Sequence, residues 1–225
     1  MSTEGDLGSI WTNTARFLVN YVVRFLFAGL VLYCCWVPLQ NIDIWFSWHV
    51  ILCTFGYIPL MAESIMLFVG DELWSRQVSR KTKYIVHGVL VSISLVFIIA
   101  GNSFVFHNIS SGYHFTSTHG ITGLISMIIL IISVFLGLIV NYADAVKTIL
   151  PVKPVWFKFS HNIIGLLGYV IGIVSLCYGY YTNYFVFYTS VESRLAALFV
   201  TIVGTIWTMN GAFVSAYNQI KSILT

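Results

Sequence analysis

Apolar residues fall into six long runs, approximately 17–39, 44–69, 83–106, 115–141, 157–181 and 190–216, separated by short polar links. A bilayer core of about 30 Å needs about 20 apolar residues per helix, so each run reads as a membrane-spanning helix. The expected fold class is all-α: an integral membrane protein whose second to fifth helices form a central four-helix bundle. The links leave no room for a separate module, which makes 1–225 one transmembrane domain.

Composition agrees with that reading, since 58% of the residues are hydrophobic and 8% charged, against about a quarter charged in a globular protein. Arg16, Arg76, Arg80, Lys81, Lys83, Lys147, Lys153, Lys158 and Lys221 lie in the N-terminus, the second and fourth links and the C-terminus. The first, third and fifth links hold only Arg194. By the positive-inside rule both termini face the cytoplasm. The net charge of +3 expresses this asymmetry and does not point to nucleic acid. Residues 1–16 lack the basic and short apolar regions of a cleaved signal peptide, so the first helix is expected to remain as an anchor.

Four histidines stand alone on apolar runs: His49, His87, His119 and His161. An imidazole inside a bilayer is costly unless it binds something. With the orientation above, the second and fourth helices start outside, placing His49 and His119 about one turn below the outer surface. The third and fifth start inside, placing His87 and His161 at the inner surface. Topology thus sorts the four into an outer and an inner pair, about 15 Å apart across a core of about 30 Å. The second helix opens with the interfacial Trp45 and Trp48. It also carries Glu63, fourteen residues beyond His49; at 3.6 residues per turn the two share a face, Glu63 lying about 21 Å deeper. Glu63 reads either as a proton-linked carboxylate or cofactor anchor, or as a partner for the basic link. The first helix, with no charge but Arg24, reads as peripheral packing.

The chemistry follows from the ligand types. Zinc or copper usually takes mixed ligands, and no cysteine or carboxylate stands at either histidine level. Two imidazoles per level suit bis-histidine ligation of haem, giving two haem b groups and a path for single electrons across the bilayer. Cys34, Cys35, Cys53 and Cys177 contain no Cys-x-x-Cys or Cys-x-x-Cys-His arrangement, which argues against thiol redox chemistry and covalent haem; they read as packing residues. Gly88, Gly120, Gly123, Gly165, Gly168 and Gly172 lie near the histidines. They suit either tight helix packing or the close approach of a flat macrocycle.

Ser47-Trp48-His49, Ser79-Arg80-Lys81 leading into His87-Gly88, Ser117-Thr118-His119-Gly120, and His161-Asn162 followed by Gly165 to Tyr169 together resemble the cytochrome b561 family. The resemblance covers about 15–218 and is greatest to short members without an attached domain. It implies an ascorbate-dependent transmembrane reductase with one haem ligand on each central helix, and monodehydroascorbate or a ferric iron chelate as acceptor. It also implies a homodimer in an internal membrane, endoplasmic reticulum or cytoplasmic vesicle.

For the donor side the residues add their own support. Ascorbate is an anion, and Lys81, Lys83, Arg80 and Lys158, with Lys153, surround the inner pair as a basic funnel. Such charges also arise in any membrane protein from topology alone. The resemblance implies His107, in Phe106-His107-Asn108, as a contact for the outer acceptor; His114 follows by proximity only. Asn108-Ile109-Ser110 is a glycosylation sequon beside the membrane. Two rival classes stand beside this reading: a haem-carrying subunit fed by a soluble reductase, and a proton-coupled transporter using the histidines and Glu63. The second is disfavoured because 95–100 and 128–132 hold no ionisable group between the levels.

Overall fold

The structure is a computed structural model that describes residues 3–68, 77–149 and 152–224. Its elements are α1 (Thr3–Gln40), α2 (Trp45–Phe55), a π-helical turn (Gly56–Met61), α3 (Ala62–Met66), α4 (Arg80–Asn108), α5 (Thr118–Asn141), α6 (Ala143–Ile149), α7 (Pro154–Gly179), α8 (Asn183–Tyr188) and α9 (Val191–Leu224). The second membrane crossing is α2, the π turn and α3 in continuous succession. Among the described residues six crossings are long and apolar enough to span a bilayer, as the hydrophobic runs predict. The first and last helices are longer than their runs, because α1 begins at Thr3 and α9 continues to Leu224. Residue 69, expected to end the second crossing, and Arg76, used for orientation, lie outside the described residues.

The serines in two of the recurring motifs start helices. Ser79 Oγ accepts from the Thr82 amide at 3.1 Å and Ser117 Oγ from the Gly120 amide at 3.1 Å. Each N-cap satisfies an orphan donor of the first turn. Pro154 opens α7, where its missing N–H costs nothing. These starts set the depths of His87, His119 and His161 on their helices.

The central helices pack along a seven-residue repeat of small groups. Counting from each histidine in steps of seven gives His87, Ser94 and Gly101 on α4, His119, Ser126 and Ser133 on α5, and His161, Gly168 and Ser175 on α7. A seven-residue interval keeps one seam facing the partner in a left-handed bundle. On the second crossing the series is His49, Gly56 and then Ser64, one residue late. The π turn supplies the extra residue. Pro59 within it has no N–H to give to the ladder, and Ser94 Oγ donates to the Gly56 carbonyl at 2.9 Å. In the other hairpin, Ser126 Oγ donates to the Gly168 carbonyl at 2.7 Å. The bundle is therefore two antiparallel pairs, α2–α3 with α4 and α5 with α7, each tied at mid-depth by a serine on a carbonyl.

Around this bundle, α1 and α9 pack together on one side. Trp207 Nε1 donates to Asn20 Oδ1 at 2.6 Å, Tyr33 and Ser193 hydroxyls meet at 3.1 Å, and the Phe27 ring lies against Gly204. Cys34 and Cys35 on α1 are buried, and Cys34 Sγ lies 3.9 Å from Tyr180 Oη. A Cβ at Gly204 would collide with Phe27, whereas one at Gly29 meets nothing within 4 Å. Gly204→Ala is expected to destabilise the protein by about 1–3 kcal/mol, while Gly29→Ala gains helix propensity of up to about 1 kcal/mol. Thermal unfolding in detergent checks both; equal melting temperatures for the two variants contradict the packing described.

Candidate functional site

The four histidines meet in pairs. The ring centroids of His49 and His119 are 5.8 Å apart at an interplanar angle of 80°. Those of His87 and His161 are 6.0 Å apart at 88°. The pairing expected from topology, second crossing with fourth and third with fifth, is the pairing observed.

One nitrogen of every ring is already engaged. Nδ1–H of His49 donates to the Gly101 carbonyl at 3.1 Å, that of His87 to Ser64 at 2.9 Å, that of His119 to Ser175 at 2.8 Å, and that of His161 to Ser133 at 2.9 Å. Because a carbonyl can only accept, these contacts fix the tautomer, leaving each Nε2 unprotonated. Each pair thus brings two unprotonated ring nitrogens to one level of the bundle. The donor set therefore fits a metal held between two neutral imidazoles. Among the described residues no three His, Cys, Asp or Glu side chains converge; two imidazoles are the donor set that haem iron takes from a protein.

The carbonyl latches are reciprocal. The second crossing holds the α4 histidine through Ser64, and α4 holds the second crossing's histidine through Gly101. α5 and α7 do the same for each other through Ser133 and Ser175. Within α4, α5 and α7 the histidine and the latching residue are fourteen residues apart, about 21 Å along the axis. The two levels are therefore further apart than the 15 Å expected from depth alone, because the histidines lie near the ends of helices longer than the bilayer core. Gly137 and Gly179, each four residues beyond a latching serine, leave room for the rings: a Cβ there would stand 3.1 Å from His161 Cε1 and 3.3 Å from His119 Cε1. Neither these glycines nor the latch residues stand out on the sequence singly. The repeated His-x13-Ser-x3-Gly pattern of α5 and α7 is the signal that reveals them.

Glu63 departs from expectation. It does not share the His49 face. The extra residue of the π turn gives that register to Ser64 and rotates Glu63 toward α1, where Arg24 Nε and its second nitrogen donate to the carboxylate at 2.7 and 3.0 Å. Its partner is thus α1, not the basic link, and α1 is more than passive packing.

The His49–His119 pair faces a cavity of about 1140 Å³, somewhat larger than the usual ligand pocket of about 300–1,000 Å³. His107 and His114 both line it. His114 stacks on Phe106 with centroids 4.6 Å apart. Contrary to the expectation that no cysteine stands at a histidine level, Cys53, one turn beyond His49 on the same helix, brings its Sγ within 3.6 Å of His49 Nδ1. Phe115, also at the wall, has φ of 53°, a left-handed conformation that is strained for a bulky residue. Asn108 is exposed, its amide donating to the Phe104 carbonyl at 2.8 Å. At the other end His87 is flanked by Phe68, with centroids 5.3 Å apart. Arg80 Nε donates to Tyr84 Oη at 3.0 Å, Lys81 and Lys158 are exposed, and Lys83 is half-buried. The four basic candidates thus sit on the first turn of α4 and the second turn of α7, the helices that carry His87 and His161.

Comparison with known proteins gives two matches. A family profile described as eukaryotic cytochrome b561 matches residues 48–186, a stretch that holds all four histidines. A Mus musculus protein described as transmembrane reductase CYB561D2 is 32% identical over 85 residues, 37% of this chain and 38% of that protein. The matched part is thus well under two thirds of that relative's length. No solved structure matches.

The Arg24–Glu63 pair is 20% and 33% exposed. Removing one partner leaves an uncompensated charge, so Arg24→Met is expected to cost about 1–3 kcal/mol after allowance for solvent screening. The double variant Arg24→Met/Glu63→Met is expected to recover most of that loss. A double-mutant cycle of unfolding free energies checks this; additive losses contradict the pairing.

Proposed function

The chain belongs to the cytochrome b561 family, which implies b-type haem, and from that premise we propose that it is a di-haem transmembrane reductase. His49 with His119 and His87 with His161 are the axial ligands of two haem b groups. The observation that carries this reading is the pair of facing imidazoles at each of two levels, every Nδ1 satisfied by a helix carbonyl. When bound, a haem with both axial positions filled supplies one-electron transfer and has no open iron site for oxygen. The chain's contribution is to hold each ring in one tautomer and orientation through its latch, which also raises the basicity of the ligand nitrogen.

In this reading electrons enter at the basic end, which faces the cytoplasm with both termini by the positive-inside rule. Ascorbate is the donor. Arg80, Lys81 and Lys83 occupy the first turn of α4 without an acidic residue there. Cations at a helix N-terminus oppose the helix dipole, at about 0.3–1 kcal/mol each, so they contribute nothing to the helix itself and favour an anion at its mouth. Lys158 adds a fourth charge from α7. At the opposite end His107, joined by His114, offers imidazole side chains to the acceptor, monodehydroascorbate or a ferric chelate. The protein works as a homodimer in an endoplasmic reticulum or vesicle membrane, moving electrons and not ions.

An absorption spectrum before and after ascorbate, with haem quantitation, tests the proposal. Wild type is expected to carry two reducible b-type haems per chain. His87→Ala or His161→Ala removes one and His49→Ala or His119→Ala the other; two haems retained in all four variants contradict the ligand assignment. Lys81→Ala and Lys83→Ala are each expected to raise KM for ascorbate about 1.5- to 5-fold, the range of an exposed charge contact of about 0.2–1 kcal/mol. The effect shrinks as ionic strength rises. Unchanged KM in the double variant rules these lysines out of the donor site.

A further inference from the structure

Tyr57 occupies the middle of the bundle and has no part in either histidine pair. It follows Gly56 in the small-residue layer that also holds Ser94, Ser126 and Gly168. That layer is half-way between the levels, about 10 Å from each. The ring is buried and crosses from the second crossing to the other hairpin. Its seat there is Gly172, where any Cβ would collide with the ring. Its hydroxyl lies 2.7 Å from Ser126 Oγ. Since the single Ser126 proton goes to the Gly168 carbonyl, the Tyr57 hydroxyl must be the donor to Ser126. The ring also forms part of the floor of the cavity that His49 and His119 face.

We propose that Tyr57 is the electronic bridge between the two levels, an inference that rests on the two-haem reading above. Coupling between centres this far apart weakens steeply across gaps and is carried better by packed, bonded atoms. The Tyr57 ring, clamped between the hairpins at mid-depth, is such a group, and the hydroxyl's hydrogen bond holds it in place. An electron leaving the inner centre is gained by the outer one. Tyr57 ends each transfer with the electrons and proton it began with.

Pulse-radiolytic reduction of the purified di-haem protein tests this through the concentration-independent phase in which electrons equilibrate between centres, with both midpoint potentials titrated alongside. Tyr57→Phe, which keeps the ring, is expected to stay within about twofold of wild type. Tyr57→Leu is expected to be slowed about tenfold, equivalent to about 1.4 kcal/mol of barrier, with both potentials unchanged. An unslowed Tyr57→Leu overturns the bridge. If Tyr57→Leu fails to retain both haems, Tyr57→Met, an adaptable side chain that fills the space without a ring, decides by the same measure. Loss of haem in both, with retention in Tyr57→Phe, assigns Tyr57 to packing and overturns the bridge as well. Wild type without two haems instead overturns the parent reading, which separates the two failures.

Discussion

An imidazole has two nitrogens, and inside a bilayer no water satisfies either. That constraint organises the bundle. One nitrogen of each of the four histidines donates to a helix carbonyl: Gly101, Ser133 and Ser175 stand inside their helices and use the oxygen's second lone pair, whereas Ser64 is in the last turn of α3. To bring that carbonyl within 2.8–3.1 Å of a neighbouring ring, two helices must approach closely over their whole length. Small residues then follow at every seventh position, and glycines where the ring itself must fit. The second nitrogen remains for a metal, so the same geometry that stabilises the histidine as a buried polar group presents it as a ligand.

Reciprocity makes each antiparallel pair of helices rigid at both ends. His49 and His87 are each held by the other's helix, as are His119 and His161. A slip of one helix along its partner would break latches at both levels together. The histidine pairs then join the two hairpins, so each candidate metal site reads the relative position of rigid bodies and not of loops. Elements that bring residues into register in this way suit electron transfer, where a site must change charge with little rearrangement.

Where the pattern breaks, the break has a reason. The second crossing carries a proline in the interval between its histidine and its latch, and the π turn adds the residue that keeps the latch in phase. The same added residue swings Glu63 out of the seam and onto Arg24, which ties α1 to the bundle beside the Ser64 latch. The two ends differ as well: one opens on a cavity walled by histidines, aromatic rings and amides, the other on basic residues near the starts of α4 and α7.

Much of this was legible in the chain itself. Six apolar runs of bilayer length determine six crossings, because every backbone group in lipid must bond within its own helix. Alternating direction then determines which histidines share a level, since a residue near the start of one helix and the start of the second one after it lie on the same side. The capping serines set the helix starts from local chemistry alone. Tertiary structure decided the rest. Which carbonyl receives each Nδ1, why Glu63 faces α1, and why Tyr57 crosses the middle of the bundle all depend on the rotation of one helix against another. A one-residue π insertion at Gly56–Met61 changes that rotation, and periodicity counted at 3.6 residues per turn places Glu63 where Ser64 in fact stands.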